Sequence, residues 1–113
     1  MKARLPEGYG KQSQQQMMER LTKMQNEMQE TQEALKAKEY TAKAGGGVVE
    51  ATVNGEHRVI SVTISPEVCD PEDTEMLGDL VAAAVNAAVE EAAADYETEM
   101  ERITGGLNLG GLI

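Results

Sequence analysis

Residues 44–78, AGGGVVEATVNGEHRVISVTISPEVCDPEDTEMLG, constrain the fold more than any other stretch of this chain. Three consecutive glycines make a turn or bulge there, because only glycine takes positive φ without strain. Residues 48–53 read as a strand and residues 57–65 as its return. The Asn54-Gly55 pair between them is the strongest short hairpin signal, since a type I′ turn needs positive φ at both central positions. Val49, Ala51 and Val53 alternate on one strand and Ile60, Val62 and Ile64 on the other, so these residues are expected to form one apolar face. The opposite face, with Val48, Glu50, Thr52, Val59, Ser61 and Thr63, is half polar. Upstream, Glu39–Ala44 alternates Tyr40, Ala42 and Ala44 against Thr41 and Lys43. It adds a third strand and completes an antiparallel meander with one buried face.

A helix flanks the meander on each side. Over residues 11–37, Met17, Leu21, Met24, Met28, Thr31 and Leu35 recur at spacings of four and three, a heptad-like seam. Ser13 and Gln16 offer a capping box if this helix starts late. Pro66 ends the last strand. Asp70 is expected as N-cap of the second helix and Pro71 as its first residue. Glu72, Asp73 and Glu75 suit the positive end of its dipole. Leu77, Leu80, Val81, Ala84, Val85, Ala88, Val89, Ala92, Tyr96, Met100 and Ile103 carry its apolar stripe, and Gly105-Gly106 stops it. Residues 1–10 read as a loose N-terminal arm, 11–104 as a single α+β domain and 105–113 as a Gly/Leu-rich flexible tail.

Lengths then point to an assembly. At 1.5 Å per residue the helices span roughly 40 and 50 Å, whereas strands of this size cover about 20–30 Å. Both helices must outrun the sheet. The apolar stripe nevertheless continues to Met100 and Ile103, and a second copy of the chain is the simplest cover. Ala84 and Ala88 would permit close helix approach. With Met24, Met28 and Leu80 they are the expected dimer-interface residues. The chain has no Phe or Trp, so its core rests on Val, Ile, Leu, Met and Ala, and oligomerisation would bury more apolar surface.

The formal net charge of −10 is unevenly placed. Residues 1–47 carry eight Lys or Arg against six acids, and residues 48–113 carry two against fourteen. The C-terminal half repels phosphate backbones, so a polyanion would have to meet the N-terminal half. Cys69 is the only cysteine, which excludes an intrachain disulfide and fits a reducing compartment. The N-terminal residues show no apolar signal core, and the apolar run at 81–89 is too short to span a bilayer. The chain reads as cytosolic and soluble.

Candidate chemistry is sparse. His57 and Cys69 cannot supply the usual ligands of a zinc site. His57 reads as a surface residue. Cys69 precedes a helix but has no nearby histidine base, so it reads as a plain thiol. The glycine triplet runs into a strand, whereas a phosphate-binding P-loop runs into a helix. The acids at 70–75 lack the EF-hand spacing and serve better as helix caps. Met17, Met18, Met24 and Met28 read first as packing, and as adaptable side chains they also suit an interface. No acid/base pair, activated nucleophile or metal set appears, so no cofactor or small-molecule substrate is expected.

Taken together, QQQMMERLTKMQNEMQETQEAL, AGGGVVEATVNG, VISVTISPEV, DPEDTEMLGDLVAAAVNAA and TGGLNLGGL resemble the YbaB/EbfC family of bacterial nucleoid-associated proteins over about residues 12–110. The resemblance implies an α-β-β-β-α chain, a tweezer-like homodimer with projecting helices, no catalysis, and a cytoplasmic, nucleoid-associated role in binding double-stranded DNA and influencing gene expression. Relatives often place Lys between the two valines of the second strand, where this chain has Glu50. They often mix Lys with Glu near residues 90–101, where it has EEAAADYETEME.

Under this reading Lys11, Arg20, Lys23, Lys36, Lys38 and Lys43 are the DNA-contact candidates, touching phosphates while Gln side chains add hydrogen bonds. Sequence specificity would be low, because no helix carries a base-reading set. The alternative is a dimeric protein–protein interaction module with little direct DNA affinity, motivated by the acidic half and the Met-lined helix.

Overall fold

The computed structural model describes residues 9–105, with side chains from residue 13 onward. The elements are α1 (Tyr9–Ala37), β1 (Glu39–Ala44), β2 (Val49–Asn54), β3 (Val59–Ile64) and α2 (Thr74–Thr104). The strands form one antiparallel sheet in the order β1-β2-β3. The α-β-β-β-α order therefore stands. Of the expected arm at 1–10, Tyr9 and Gly10 belong to α1, while residues 1–8, and residues 106–113 of the expected tail at 105–113, lie outside the described residues.

Gly45, Gly46 and Gly47 turn β1 into β2 with φ of +63°, +75° and +100°, a run that side chains would strain. A Cβ on Gly45 would also come within 2.8 Å of the Leu80 side chain, so the turn is packed under α2. Val48 belongs to this turn, with φ −73° and ψ −21°, and β2 starts one residue later than its apolar pattern suggests.

The Asn54-Gly55 hairpin differs from the expected type I′ turn. The loop spans residues 55–57, and His57, at φ +64°, is the residue in the left-handed region. The His57 N–H donates to the Asn54 carbonyl at 3.0 Å, and the Asn54 N–H to the Arg58 carbonyl at 2.9 Å. The Asn54 side-chain oxygen accepts from the Glu56 and Arg58 N–H groups at 2.9 and 3.0 Å. This is the longer hairpin built on a tight turn followed by one left-handed residue. Gly55 answers a different need: a Cβ there would overlap the Leu35 carbonyl oxygen at the end of α1.

The start of α2 also moves. Asp70 instead folds a local turn, accepting from the Glu72 N–H at 2.9 Å. Asp73 is the N-cap, accepting from the Met76 N–H at 3.2 Å, and the helix begins at Thr74. Two capping residues stand in tandem, and the second one wins.

Ala84, Ala88 and Ala92 lie one helical turn apart and seat α2 on β1 and β2. Ala88 and Ala92 meet Tyr40, Ala42 and Val53, while Ala84 meets Val49, Ala51 and Val68. Val49, Ala51 and Val53 are fully buried as expected. β3 is not: it lies outside the main footprint of α2, and Val59 and Ile60 remain 50% exposed. The register also slips, so that Ser61 opposes Thr52 but Val59 opposes Val53, leaving Ile60 as a bulge. Of the expected apolar set on β3, only Ile64 packs against the core.

The molecule measures 88 × 24 × 16 Å with a radius of gyration of 23.4 Å. A compact chain of this length would have a radius of gyration of about 13 Å. The excess length comes from helices that overlap only in part.

Candidate nucleic-acid interface

The register between the helices decides which part of α1 is covered. The Gln32 side-chain amide donates to the Tyr96 hydroxyl at 3.1 Å and approaches the Met100 sulfur at 4.0 Å. Arg102 reaches Glu27 at 3.6 Å. As α2 advances from Tyr96 to Arg102, its partners on α1 retreat from Gln32 to Glu27, so the helices run antiparallel. α2 ends at Thr104, and the first half of α1 continues past it. The heptad seam records this boundary: Leu35 is 7% exposed, Met28 and Met24 are half-buried, and Met17 is 53% exposed.

The same boundary sorts the cations. Lys36 pairs with Glu33 at 3.3 Å, one turn away on α1. Lys43 lies opposite Glu50 in the β1–β2 register and reaches it at 3.8 Å. The glutamate that departs from the expected lysine thus sits beside a lysine of its own sheet. Lys38 donates to Asp95 at 2.7 Å, and Asp95 also accepts from the Tyr40 hydroxyl at 2.7 Å. The Lys38 ammonium stands 5.4 Å from the centre of the Tyr40 ring. Burial, then the hydrogen bond to Asp95, pushes the Tyr40 phenol up to about 12. The Lys38 hydrogen bond, followed by that from Tyr40, holds the Asp95 carboxyl below its ordinary range. This cluster ties β1 to α2 and occupies Lys38.

Arg20 and Lys23 differ from these. Among the described residues neither forms an ion pair, and both are exposed on the part of α1 beyond α2. They are three residues apart and so are neighbours on the helix surface. Gln14, Gln15 and Gln16 are exposed on the same segment. Lys11 lies on the α1 backbone, with its side chain outside the described ones. The arrangement places two cations without an ion-pair partner among the described residues, with Glu19 and Glu27 four residues to either side of Lys23, and several amides on a protruding rod that phosphate oxygens could meet.

The sequence profile of the YbaB/EbfC DNA-binding family matches residues 11–107. The chain belongs to that family. Relatives named nucleoid-associated proteins are 51% identical in Alkaliphilus metalliredigens and 45% identical in Clostridium novyi, each over 96 residues. In both cases the match covers 85% of this chain and 84% of the relative. A crystal structure of an uncharacterized Helicobacter pylori protein superposes with a TM-score of 0.57 at 24% identity, covering 69% of this chain and 90% of that one. That likeness concerns the fold.

The expected interface residues of this YbaB/EbfC member take two different places. Ala84 and Ala88 are fully buried against the sheet of the same chain. The close approach their size permits is to β1 and β2. Leu80 packs in the same core, and Met24 and Met28 lie half-buried on the seam of α1. The apolar surface that sequence reasoning missed is on β3, where Val59, Ile60 and Val62 are exposed. Edge position was the available signal, since the last strand of a meander has one open side. Among the described residues no helix is long and apolar enough to cross a membrane, and no group of three or more His, Cys, Asp or Glu is placed to hold a metal ion.

Proposed function

We propose that this protein is a non-catalytic, nucleoid-associated DNA-binding protein that works as a homodimer, with residues 11–104 as its working domain. Each protomer contacts duplex DNA through the protruding first half of α1, and the dimer sets two such rods around one body. Bound along the chromosome in the cytoplasm, it influences nucleoid organisation and gene expression. Family membership supports the class of function. One structural observation supports the site: among the described residues Arg20 and Lys23 form no ion pair, while Lys36, Lys38 and Lys43 each hold a carboxylate.

The net charge of −10 does not oppose this reading at short range. At physiological salt the Debye length is about 8 Å, so acids on the far part of α2 are screened from a duplex at the tip of α1. Contacts to phosphate carry no base information, and binding should be nearly indifferent to sequence. Assembly is supported by the exposed edge of β3, where a second copy would cover Val59, Ile60 and Val62.

Charge reversal tests the site. Arg20→Glu with Lys23→Glu should abolish binding to all duplexes alike, because it removes two cations per protomer and adds two repulsive groups. Lys36→Glu with Lys43→Glu changes the net charge equally and should weaken binding less. Equal loss in the two double variants would place the contact elsewhere.

A further inference from the structure

The heptad seam of α1 loses its cover at a definite point. Leu35 is buried, Met28 and Met24 are half-buried, and Leu21 and Met17 are 38% and 53% exposed. The cover is α2, which stays packed up to its last turn, where Ile103 is buried. Gln32 meets Tyr96 and Glu27 meets Arg102, and continuing that antiparallel pairing brings the end of α2 beside Met24. Leu21 and Met17 are the next seam residues, roughly 5 and 10 Å farther along the helix. α2 stops short of both.

We infer that residues 106–113 continue the cover, as an apolar strap laid along Leu21 and Met17. These residues, GLNLGGLI, directly follow Gly105, the C-cap of α2. They contain four large aliphatic side chains, Leu107, Leu109, Leu112 and Ile113, and no charged one. Eight extended residues reach about 26 Å, well beyond the distance from the end of α2 to Met17. Residues two apart in an extended chain point to one side, which suits Leu107 and Leu109 to a stripe as narrow as this seam. Connection selects the occupant: a segment that starts where the cover ends acts at a high effective concentration, and a separate chain does not. The position of the cations agrees with it. Lys23 lies about 120° around the helix from Met17, so a strap on the seam leaves Lys23 clear. Helices in proteins draw most of their stability from packing of an apolar face, and the strap supplies that packing to the half of α1 that α2 does not reach.

Hydrogen exchange of the full-length protein, read by mass spectrometry, tests the strap. Leu107→Asn with Leu109→Asn and Leu112→Asn keeps the length and charge of the segment and removes its apolar side chains. This variant should speed amide exchange over residues 13–23 by about tenfold or more, because burial of even one Leu side chain is worth that factor in a local opening equilibrium. Exchange over residues 28–35 and over the three strands should stay as in wild type. Combining the triple variant with Leu21→Asn should add little to the effect of either, as expected of partners in one contact.

Unchanged exchange over residues 13–23 in the triple variant, or full additivity with Leu21→Asn, would overturn the strap. Faster exchange over β3 instead would place the segment on Val59, Ile60 and Val62 and overturn it as well. Protection of residues 13–23 that the wild type loses on dilution would assign the cover to a second copy of the chain, again overturning it.

Discussion

Gly55 shows how one residue can look informative for one reason and matter for another. Its place after Asn54 suggests a turn glycine, yet the left-handed residue is His57. Gly55 is needed because the Leu35 carbonyl at the end of α1 occupies the position of a Cβ. Gly55→Ala should therefore lower stability by about 1–3 kcal/mol, the usual range for overpacking, read as a reduced urea midpoint. An unchanged midpoint would mean that α1 does not rest on this turn. Asp95 gives the chain a pH response. Its carboxyl titrates below the ordinary value of 3.8, so its stabilising contribution is full above that value and is lost as pH falls through the lower folded value. Tyr40 acts at the other end: its contribution holds below 10 and is lost as pH rises through about 12. Lys38 is half exposed, which limits the ion pair to no more than about 1 kcal/mol. Asp95→Asn should flatten the acid limb of a stability–pH curve, and an unaltered limb would assign it to other carboxylates.

At the scale of elements, most of the fold was legible because each element carries its own period. The heptad seam marks α1, alternation marks β1 and β2, and the apolar stripe marks α2. What was not legible depends on which element lies over which. Ile60 and Val62 fit a buried alternating strand equally well whether or not a helix covers them. Only the placement of α2 over β1 and β2 leaves them exposed. The bulge at Ile60 is likewise a pairing property that β3 alone does not encode. The cation set was legible as a list but not as a ranking. Asp95 lies 57 residues from Lys38, and a pairing at that separation has no local signal. The exposed edge yields a prediction of its own. If a second copy covers β3, Val62→Glu should convert dimer to monomer in sedimentation, since a buried unpaired carboxylate is strongly unfavourable. A dimer that survives this change would have its interface elsewhere.

At the scale of the whole molecule, length and charge are arranged together. A molecule 88 Å long separates the sheet and its acidic helix from the protruding tip of α1. The paired lysines near the sheet neutralise local carboxylates, and Arg20 and Lys23, without an ion-pair partner among the described residues, lie on α1 just past the end of α2. A strongly acidic protein can thus present a small cationic surface at a distance from most of its own acids. The central claim is that this surface contacts phosphate directly, and fluorescence anisotropy of a labelled duplex across a salt series tests it most directly. With two cations from each protomer of the proposed dimer, log affinity should fall with log salt at a slope of about −3 to −4. Absence of binding at low salt, or binding with a slope near zero, would contradict the account.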